Sequence, residues 1–364
     1  GNPPYGLFNK KQNDKVALSV DKNIIEYLKI NYPESKGGII NAAKVFYVFS
    51  FKISKKNGYQ SMIIPYGILT DTTSVNLRKH LLFNNSLITV DAFPERDNSK
   101  RRVFEDVKMS TSILVTKKSK PNKTLSIGIS NFKSIPTART NFNIDDLKKI
   151  NENLVQIPLM DQSSFLLLKK IYTNNEILRL GDISKCLTGE VDITFGKTAI
   201  TSNPNDNNLI KGVQLDRYIY KINQSEISQG KIEFLDEAIF SKICSQKKLN
   251  DSKQERIALQ GLTGVNESFR LKATYIEKNC FLANSCNYIL EDDNYSLKYI
   301  LGCVNSKLYN FIFKSLSTNS NVNGYEVDNL PFIPNKNQDN ISKLVEQILS
   351  AKAEDPAADT QALE

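Results

Sequence analysis

The residues best suited to chemistry open the chain. Asn2-Pro3-Pro4-Tyr5 combines a side-chain amide, a backbone carbonyl at Pro3 and a phenol ring. Two prolines stiffen the loop that carries them. Methyl transfer to an aromatic amine is slow because the nitrogen lone pair is delocalised into the ring. A catalyst must hold the two amine hydrogens on acceptors and favour a tetrahedral nitrogen. The Asn2 side-chain oxygen and the Pro3 carbonyl are neutral acceptors of that kind. Tyr5 offers a face on which an extruded base could stack. No charged base is needed, which suits a chain with one histidine. The plain alternative is a Pro-Pro turn ahead of a helix, and a chance match to such a tetrapeptide occurs in roughly one chain in a hundred of this length.

The elements that must position this loop follow it. Residues 21–31 read as a helix, with Ile24, Ile25 and Leu28 on one side and Asp21 as cap. Lys36-Gly37-Gly38 breaks it. Residues 40–54 read as a second, largely buried helix with Val45, Phe46, Val48 and Phe49 inward, ended by Lys55-Lys56-Asn57-Gly58. Residues 60–65, 87–92 and 110–117 read as strands, and 124–130 as an added one. Residues 74–82, 144–151 and 163–172 read as helices. This alternation predicts an α/β fold with a mostly parallel sheet. The loop joining 87–92 to 110–117 leaves that pair free to run antiparallel. Beyond Thr173-Asn174-Asn175 the strands are shorter, with polar loops such as 203–208 and a long helix over 297–315. No internal repeat is present, and the tail over 351–364 is polar and Ala-rich.

The 364 residues have room for two cores, and the 40% hydrophobic and 24% charged content is ordinary for a globular protein. No apolar run approaches the roughly 18 residues that span a bilayer, and the start lacks the regions of a signal peptide. A soluble, cytoplasmic protein is expected. Cys186, Cys244, Cys280, Cys286 and Cys303 form no CxxC pair and lie far from His80, the one histidine. That pattern argues against a zinc site, a disulfide framework and a histidine-activated nucleophile. Buried reduced thiols and a structural or exposed His80 are expected. The formal charge of +9 favours a polyanionic partner.

Segments after the tetrapeptide carry a family resemblance. NAAKVFYVFSFKISKKNG (41–58), YQSMIIPYGILT (59–70, with Pro65 at the strand end) and FEDVKMSTSILV (104–115) resemble successive motifs of TaqI-like DNA adenine-N6 methyltransferases and the related type IIG restriction-modification enzymes. The resemblance implies that Phe104 is a second stacking wall opposite Tyr5, around a flipped adenine. It also implies that Phe46 lies beside the adenine of the donor, S-adenosylmethionine; an ordinary core position is the alternative. From about Glu176 the chain resembles the TaqI-like specificity domain, in LIKGVQLDRY (209–218), RIALQGLTGVNESFR (256–270), FLANSCNYI (281–289), the long helix and Leu330-Pro331-Phe332-Ile333-Pro334. The resemblance covers nearly the whole chain. In this family the donor binds a Gly-rich turn ahead of the catalytic loop. Gly37-Gly38, set between two helices, is the wrong context for it. The expectation is an excised fragment with an exposed sheet edge, methyl transfer belonging to the parent enzyme.

Residue types in the second half agree with a DNA partner. Lys211-Gly212 suits backbone approach to a phosphate with a cation beside it. Arg217 is followed by Tyr218 and Tyr220. Arg256, Gln260, Thr263, Asn266 and Arg270 place base-reading types around Gly261-Leu262-Thr263-Gly264, Arg suiting guanine and Gln or Asn adenine. The loop 95–102, with Arg96, Lys100, Arg101 and Arg102, suits the DNA backbone beside the catalytic pocket. For each residue the plain alternative is a solvated charge. The reading is a partial Rossmann-like methyltransferase domain with its first strands missing (1–172), a mixed α/β target-recognition domain (176–350) and a truncated tail (351–364). Together they would form a basic cleft for double-stranded DNA. Two rivals stand beside it: a DNA-binding specificity module without its own catalysis, and a methyltransferase acting on RNA or protein. The large second half argues for DNA. No nuclease carboxylate-lysine cluster is visible.

Overall fold

The computed structural model describes residues 1–9, 17–227, 229–318, 320–334 and 338–364. The chain divides into two compact units, residues 1–174 and 175–364, and its fold is mixed α/β.

In the first unit, helices α1 (Lys22–Asn31) and α2 (Ala42–Ile53) precede strands β1 (Tyr59–Pro65), β2 (Ser86–Phe93), β3 (Thr111–Lys117), β4 (Thr124–Ile129) and β5 (Arg139–Asn143). They form one sheet of order β1-β3-β2-β4-β5. Within this sheet, among the described residues, only β2 and β4 pair in parallel and the other neighbours are antiparallel. The sheet is therefore mixed rather than mostly parallel, because the links from β2 onward carry no helical crossover of the kind parallel neighbours need. β5 was not foreseen. Its sequence RTNFN holds one inward apolar residue, Phe142, which stacks on Phe165 at 4.0 Å between ring centres.

Side-chain capping starts both early helices: Asp21 accepts the amide of Asn23, and Asn41 that of Ala43. α2 buries Val45, Tyr47, Val48 and Phe51, a stripe with helical spacing. Phe46 and Phe49, expected inward, are each 43% exposed, because they lie off that stripe. Residues 74–82, expected as one helix, are a short helix α3 (Val75–Lys79) followed by a wider π turn, His80–Asn84. Arg78 is almost fully buried there and donates to the carbonyls of Ile68, Asp71, Leu154 and Val155. His80 is half-buried, edge-on to Phe51. Helices α4 (Ile144–Ile150) and α5 (Gln162–Tyr172) complete the unit.

The second unit holds two four-stranded sheets. The strands of these two sheets are β6 (Cys186–Thr188), β7 (Ile200–Thr201), β8 (Asn207–Ile210), β9 (Glu233–Leu235), β10 (Arg256–Gln260), β11 (Ala273–Ile276), β12 (Phe281–Leu282) and β13 (Cys286–Leu290). One sheet runs β7-β9-β8-β12, the other β11-β10-β13-β6. The long helix expected over 297–315 is two, α6 (Leu297–Asn305) and α7 (Lys307–Leu316). Ser306 turns to an extended ψ of 151° between them, and its hydroxyl caps the second helix at the Tyr309 amide. α8 (Gln338–Glu354) packs against α6. All five cysteines are free, with Cys186, Cys280 and Cys286 buried. No described helix is long and apolar enough to cross a membrane.

Arg256 and Glu190 form a fully buried ion pair in this unit. The guanidinium also donates to the Cys280 carbonyl at 2.6 Å and lies over the Tyr288 ring, while Glu190 accepts the Leu282 amide at 2.9 Å. Burial pushes the Glu190 carboxyl up, against the pull of Arg256. Removing one partner strands a buried charge. Arg256→Leu is expected to destabilise the second unit by about 3–5 kcal/mol in urea unfolding; a loss under about 1 kcal/mol would show that the pair is dispensable.

Candidate active site and recognition surface

The opening tetrapeptide is clamped from two directions. Along the outer edge of β1, the Gly1 ammonium donates to the Ser61 carbonyl at 2.6 Å, and the Ile63 amide donates to the Gly1 carbonyl at 3.0 Å. The Tyr5 hydroxyl donates to the Ile63 carbonyl at 3.0 Å. On the far side, Ala42 N–H donates to the Gly6 carbonyl and Phe8 N–H to the Ile40 carbonyl, each at 2.8 Å. Asn2 and Pro4 are exposed, Pro3 is buried and Tyr5 half-buried. Burial pushes the Tyr5 phenol up to about 12, so it stays a neutral donor.

The structure brings Phe104 to Tyr5, with ring centres 6.0 Å apart and planes at 76°. This is an edge-to-face contact. A base sandwiched between two rings needs them parallel and roughly 7 Å apart, two carbon contact distances. The rings thus meet without a base-sized slot between them, and a base would enter only if Phe104 moved aside. Its loop is braced from within. Arg102 donates to the carbonyls of Phe104 and Glu105 at 3.0 Å each and of Arg96 at 3.1 Å. Lys108 pairs with Asp97 at 2.8 Å. Arg102, expected on a DNA backbone, is therefore committed to its own loop. Lys100 and Arg101 are exposed, Arg101 over the Phe132 ring.

Beside the loop lies a cavity of about 330 Å³ whose lining includes Leu7, Asn41, Lys44, Ile64, Pro65 and Asp71. Lys44 is 7% exposed and donates to the Thr73 carbonyl at 2.5 Å. Burial pushes its amine down to about 8, against the pull of Asp71. Lys44 is not legible as a site residue in the sequence, because one lysine in an apolar helix gives no sign of facing inward. A lysine with a depressed folded pKa penalises folding most while both states are charged. Stability then rises as pH climbs from about 8 towards the unfolded value near 10.4. Relative to Lys44→Met, the wild type is expected to gain about 1 kcal/mol between pH 7 and 9; a flat difference would mean the amine titrates normally.

In the second unit several expected DNA contacts face inward. Arg256 is in the core, as described. Arg270 is 1% exposed; it donates to the hydroxyls of Thr263 and Ser317 and the Asn321 carbonyl, and lies over Phe313. Thr263 and Tyr218 are buried. Arg217 is half-buried, 3.9 Å from the Phe269 ring centre, and bonded to the Asn305 carbonyl and Glu364. Lys211 pairs with Glu233 and donates to the Lys231 carbonyl. Residue type alone does not distinguish these cases, because carbonyls, carboxylates and rings satisfy a buried guanidinium as phosphates would. Asn266 remains exposed and Gln260 half-buried.

Gly212 meets protein rather than phosphate. Its amide donates to the Ser285 hydroxyl at 2.9 Å, and a Cβ there would lie 2.4 Å from the Ser285 carbonyl oxygen. A Cβ at Gly261 would lie 2.6 Å from the same oxygen, and one at Gly189 2.1 Å from the Ala283 oxygen. Three glycines thus close around the 283–285 turn, with Asn284 exposed upon it. Asn284 is not legible in the sequence, since no spacing rule links glycines so far apart. Charge is also divided unevenly between the two parts of the expected basic cleft. Residues 1–174 hold 27 of the 48 Lys and Arg but only 14 of the 39 Asp and Glu. The second unit is acidic on balance. Gly212→Ala is expected to destabilise that unit by about 1–3 kcal/mol in thermal or urea unfolding, and an unchanged midpoint would show that the Ser285 turn gives way freely.

Comparison with known proteins follows this division. Residues 1–98 match the family described as Eco57I restriction-modification methylase, and residues 207–332 the TaqI-like C-terminal specificity domain. The chain is similar to a restriction-modification methylase at its start and to a TaqI-like specificity domain beyond. The methylase-like match contains the tetrapeptide, α2 and β1; the specificity match contains Lys211 to Arg270 and the 283–285 turn. Similar folds occur in the type IIL restriction-modification enzyme MmeI in complex with DNA (TM-score 0.58, 14% identity, 100% of this chain and 50% of that one). They occur also in a nuclease-deletion mutant of the type ISP enzyme LlaGI with a DNA substrate mimic (0.56, 11%, 96% and 34%) and in a DrdV–DNA complex (0.53, 11%, 99% and 44%). The chain spans half or less of the length of these structures. No curated protein matches it.

Proposed function

We propose that this chain is the acceptor-holding and recognition portion of a cytoplasmic restriction-modification enzyme that methylates adenine N6 in double-stranded DNA. The observation that carries the reading is the meeting of Tyr5 and Phe104, from distant parts of the sequence, beside an exposed Asn2 on a loop pinned to a sheet edge. In the proposed reaction the target adenine leaves the helix and stacks on Tyr5. The Asn2 side-chain oxygen and the Pro3 carbonyl accept its two amine hydrogens, and that geometry directs the nitrogen lone pair outward. Phe104 swings from the Tyr5 edge to cover the other face. Exposed Lys100 and Arg101, with the cationic excess of the first unit, supply attraction to phosphates. Gln260, Asn266 and Asn284 are the exposed or half-exposed amides through which the second unit would read base edges.

The methyl donor of such enzymes is S-adenosylmethionine. The described residues do not by themselves make a site for it. Phe46 offers one exposed ring face. Gly37-Gly38 is occupied by its own chain, since a Cβ at Gly37 would lie 2.1 Å from the Thr73 oxygen. The proposal confines this chain's part to the acceptor.

A second reading, site-specific DNA binding without transfer, is favoured by the closed Tyr5–Phe104 contact. One experiment separates the two. After selection of a bound duplex from a randomised pool, in competition with RNA, permanganate is applied to the complex. Flipping an adenine unstacks the opposite thymine and makes it reactive. Enhanced reactivity at one thymine is expected, lost in Tyr5→Ala and reduced in Asn2→Ala, with duplex affinity kept within about two-fold in both. Binding with no reactive thymine supports the specificity module, and preferential binding of RNA overturns both readings.

A further inference from the structure

Phe195 is 84% exposed, more than any other large apolar side chain among the described residues. Its backbone is nonetheless fixed. Asp192 closes a tight turn around it, its carboxylate accepting the amides of Thr194 at 2.8 Å and Phe195 at 3.2 Å, and its carbonyl that of Gly196 at 2.7 Å. The turn is rooted at both ends in one apolar core, through fully buried Val191 before it and Ala199 after it. Val191 also accepts the amide of Asn284 at 2.8 Å, so the turn leaves directly from the junction of the three glycines.

We propose that Phe195 is a stacking residue that inserts against a base step of duplex DNA; this rests on the reading of the second unit as a DNA-recognition domain. Three features select the partner. Its neighbours in sequence add no second exposed apolar side chain: Thr194, Lys197 and Thr198 are exposed, and Ile193 packs into the core. A protein-docking surface needs a contiguous apolar patch, whereas an apolar wedge between base pairs needs one ring with phosphate-binding groups on either side. The hydroxyls and ammonium beside Phe195 are such groups. The unit is also acidic on balance, so bulk charge does not draw it to DNA. Stacking is a contact with nucleic acid that does not depend on charge. Asn284, whose backbone amide bonds to Val191 at the root of the turn, offers an exposed side-chain amide of base-reading type.

The chain contains no tryptophan, so Phe195→Trp gives a single reporter at the proposed contact. With the duplex selected by the wild type, Phe195→Trp is expected to bind with near wild-type affinity and to lose much of its emission as the indole stacks on a base. Phe195→Ala is expected to bind about 10-fold to 100-fold more weakly, with the salt dependence of binding and the unfolding midpoint unchanged. Lys197→Ala, by contrast, is expected to lower the salt dependence. Unquenched emission from bound Phe195→Trp, or affinity of Phe195→Ala within about two-fold of wild type, would overturn the stacking role while leaving DNA recognition standing. Failure of the wild type to bind any duplex would overturn both. A change in sedimentation on Phe195→Ala without a change in DNA affinity would assign the ring to self-association instead.

Discussion

The hydrogen bond from the Tyr5 phenol to the Ile63 carbonyl fixes what the first unit can present. β1 is an edge strand, and the outward amide and carbonyl of Ile63 have no neighbouring strand in the sheet. Gly1 takes the amide and Tyr5 takes the carbonyl. The edge thus serves as a template for the loop of residues 1–5. Holding the ring by its hydroxyl leaves a stacking face and sets the angle at which Phe104 meets it. Burial keeps the phenol protonated, so the tether persists across the neutral range. Proline stiffness acts on the same loop, but its bearing is set by the strand edge.

The second unit follows a different rule, in which close backbone approach and buried cations fix loops from beneath. The glycines at 189, 212 and 261 admit carbonyls where a side chain would collide. Arg270 gathers Thr263, Ser317 and the Asn321 carbonyl under the 261–264 loop. These arginines and glycines hold a rigid base for whatever lies above them. Among the groups left outside are the amides of Asn266 and Asn284, the Leu262 side chain and the Phe195 ring.

Much of the first unit was legible because its information is local. Asn41 followed by an apolar stripe announces α2, and the apolar runs of β1 and β2 announce themselves. β5 was not, since its polar residues earn their place by pairing with β4 and covering Phe142. The rotation of Phe46 and Phe49 outward was also hidden: four apolar residues within five positions leave the buried face undecided until Tyr47 finds Thr116. The break at Ser306 lay within an unbroken apolar pattern. At the site, Asn2 to Tyr5 could be read directly, whereas Phe104 came by resemblance alone. Arg256 and Arg270 were misplaced because a guanidinium is equally satisfied by a phosphate or by a pocket of carbonyls and carboxylates, and only the fold supplies the latter.

The uneven division of charge has an evolutionary consequence. Under the proposed function, the cations concentrated in residues 1–174 would hold the DNA backbone without regard to sequence, and substitutions among the amides and Phe195 of residues 175–364 would leave that hold in place. A lineage with that division could exchange one sequence preference for another by altering a few surface positions, without first passing through a form that has lost its hold on the polymer.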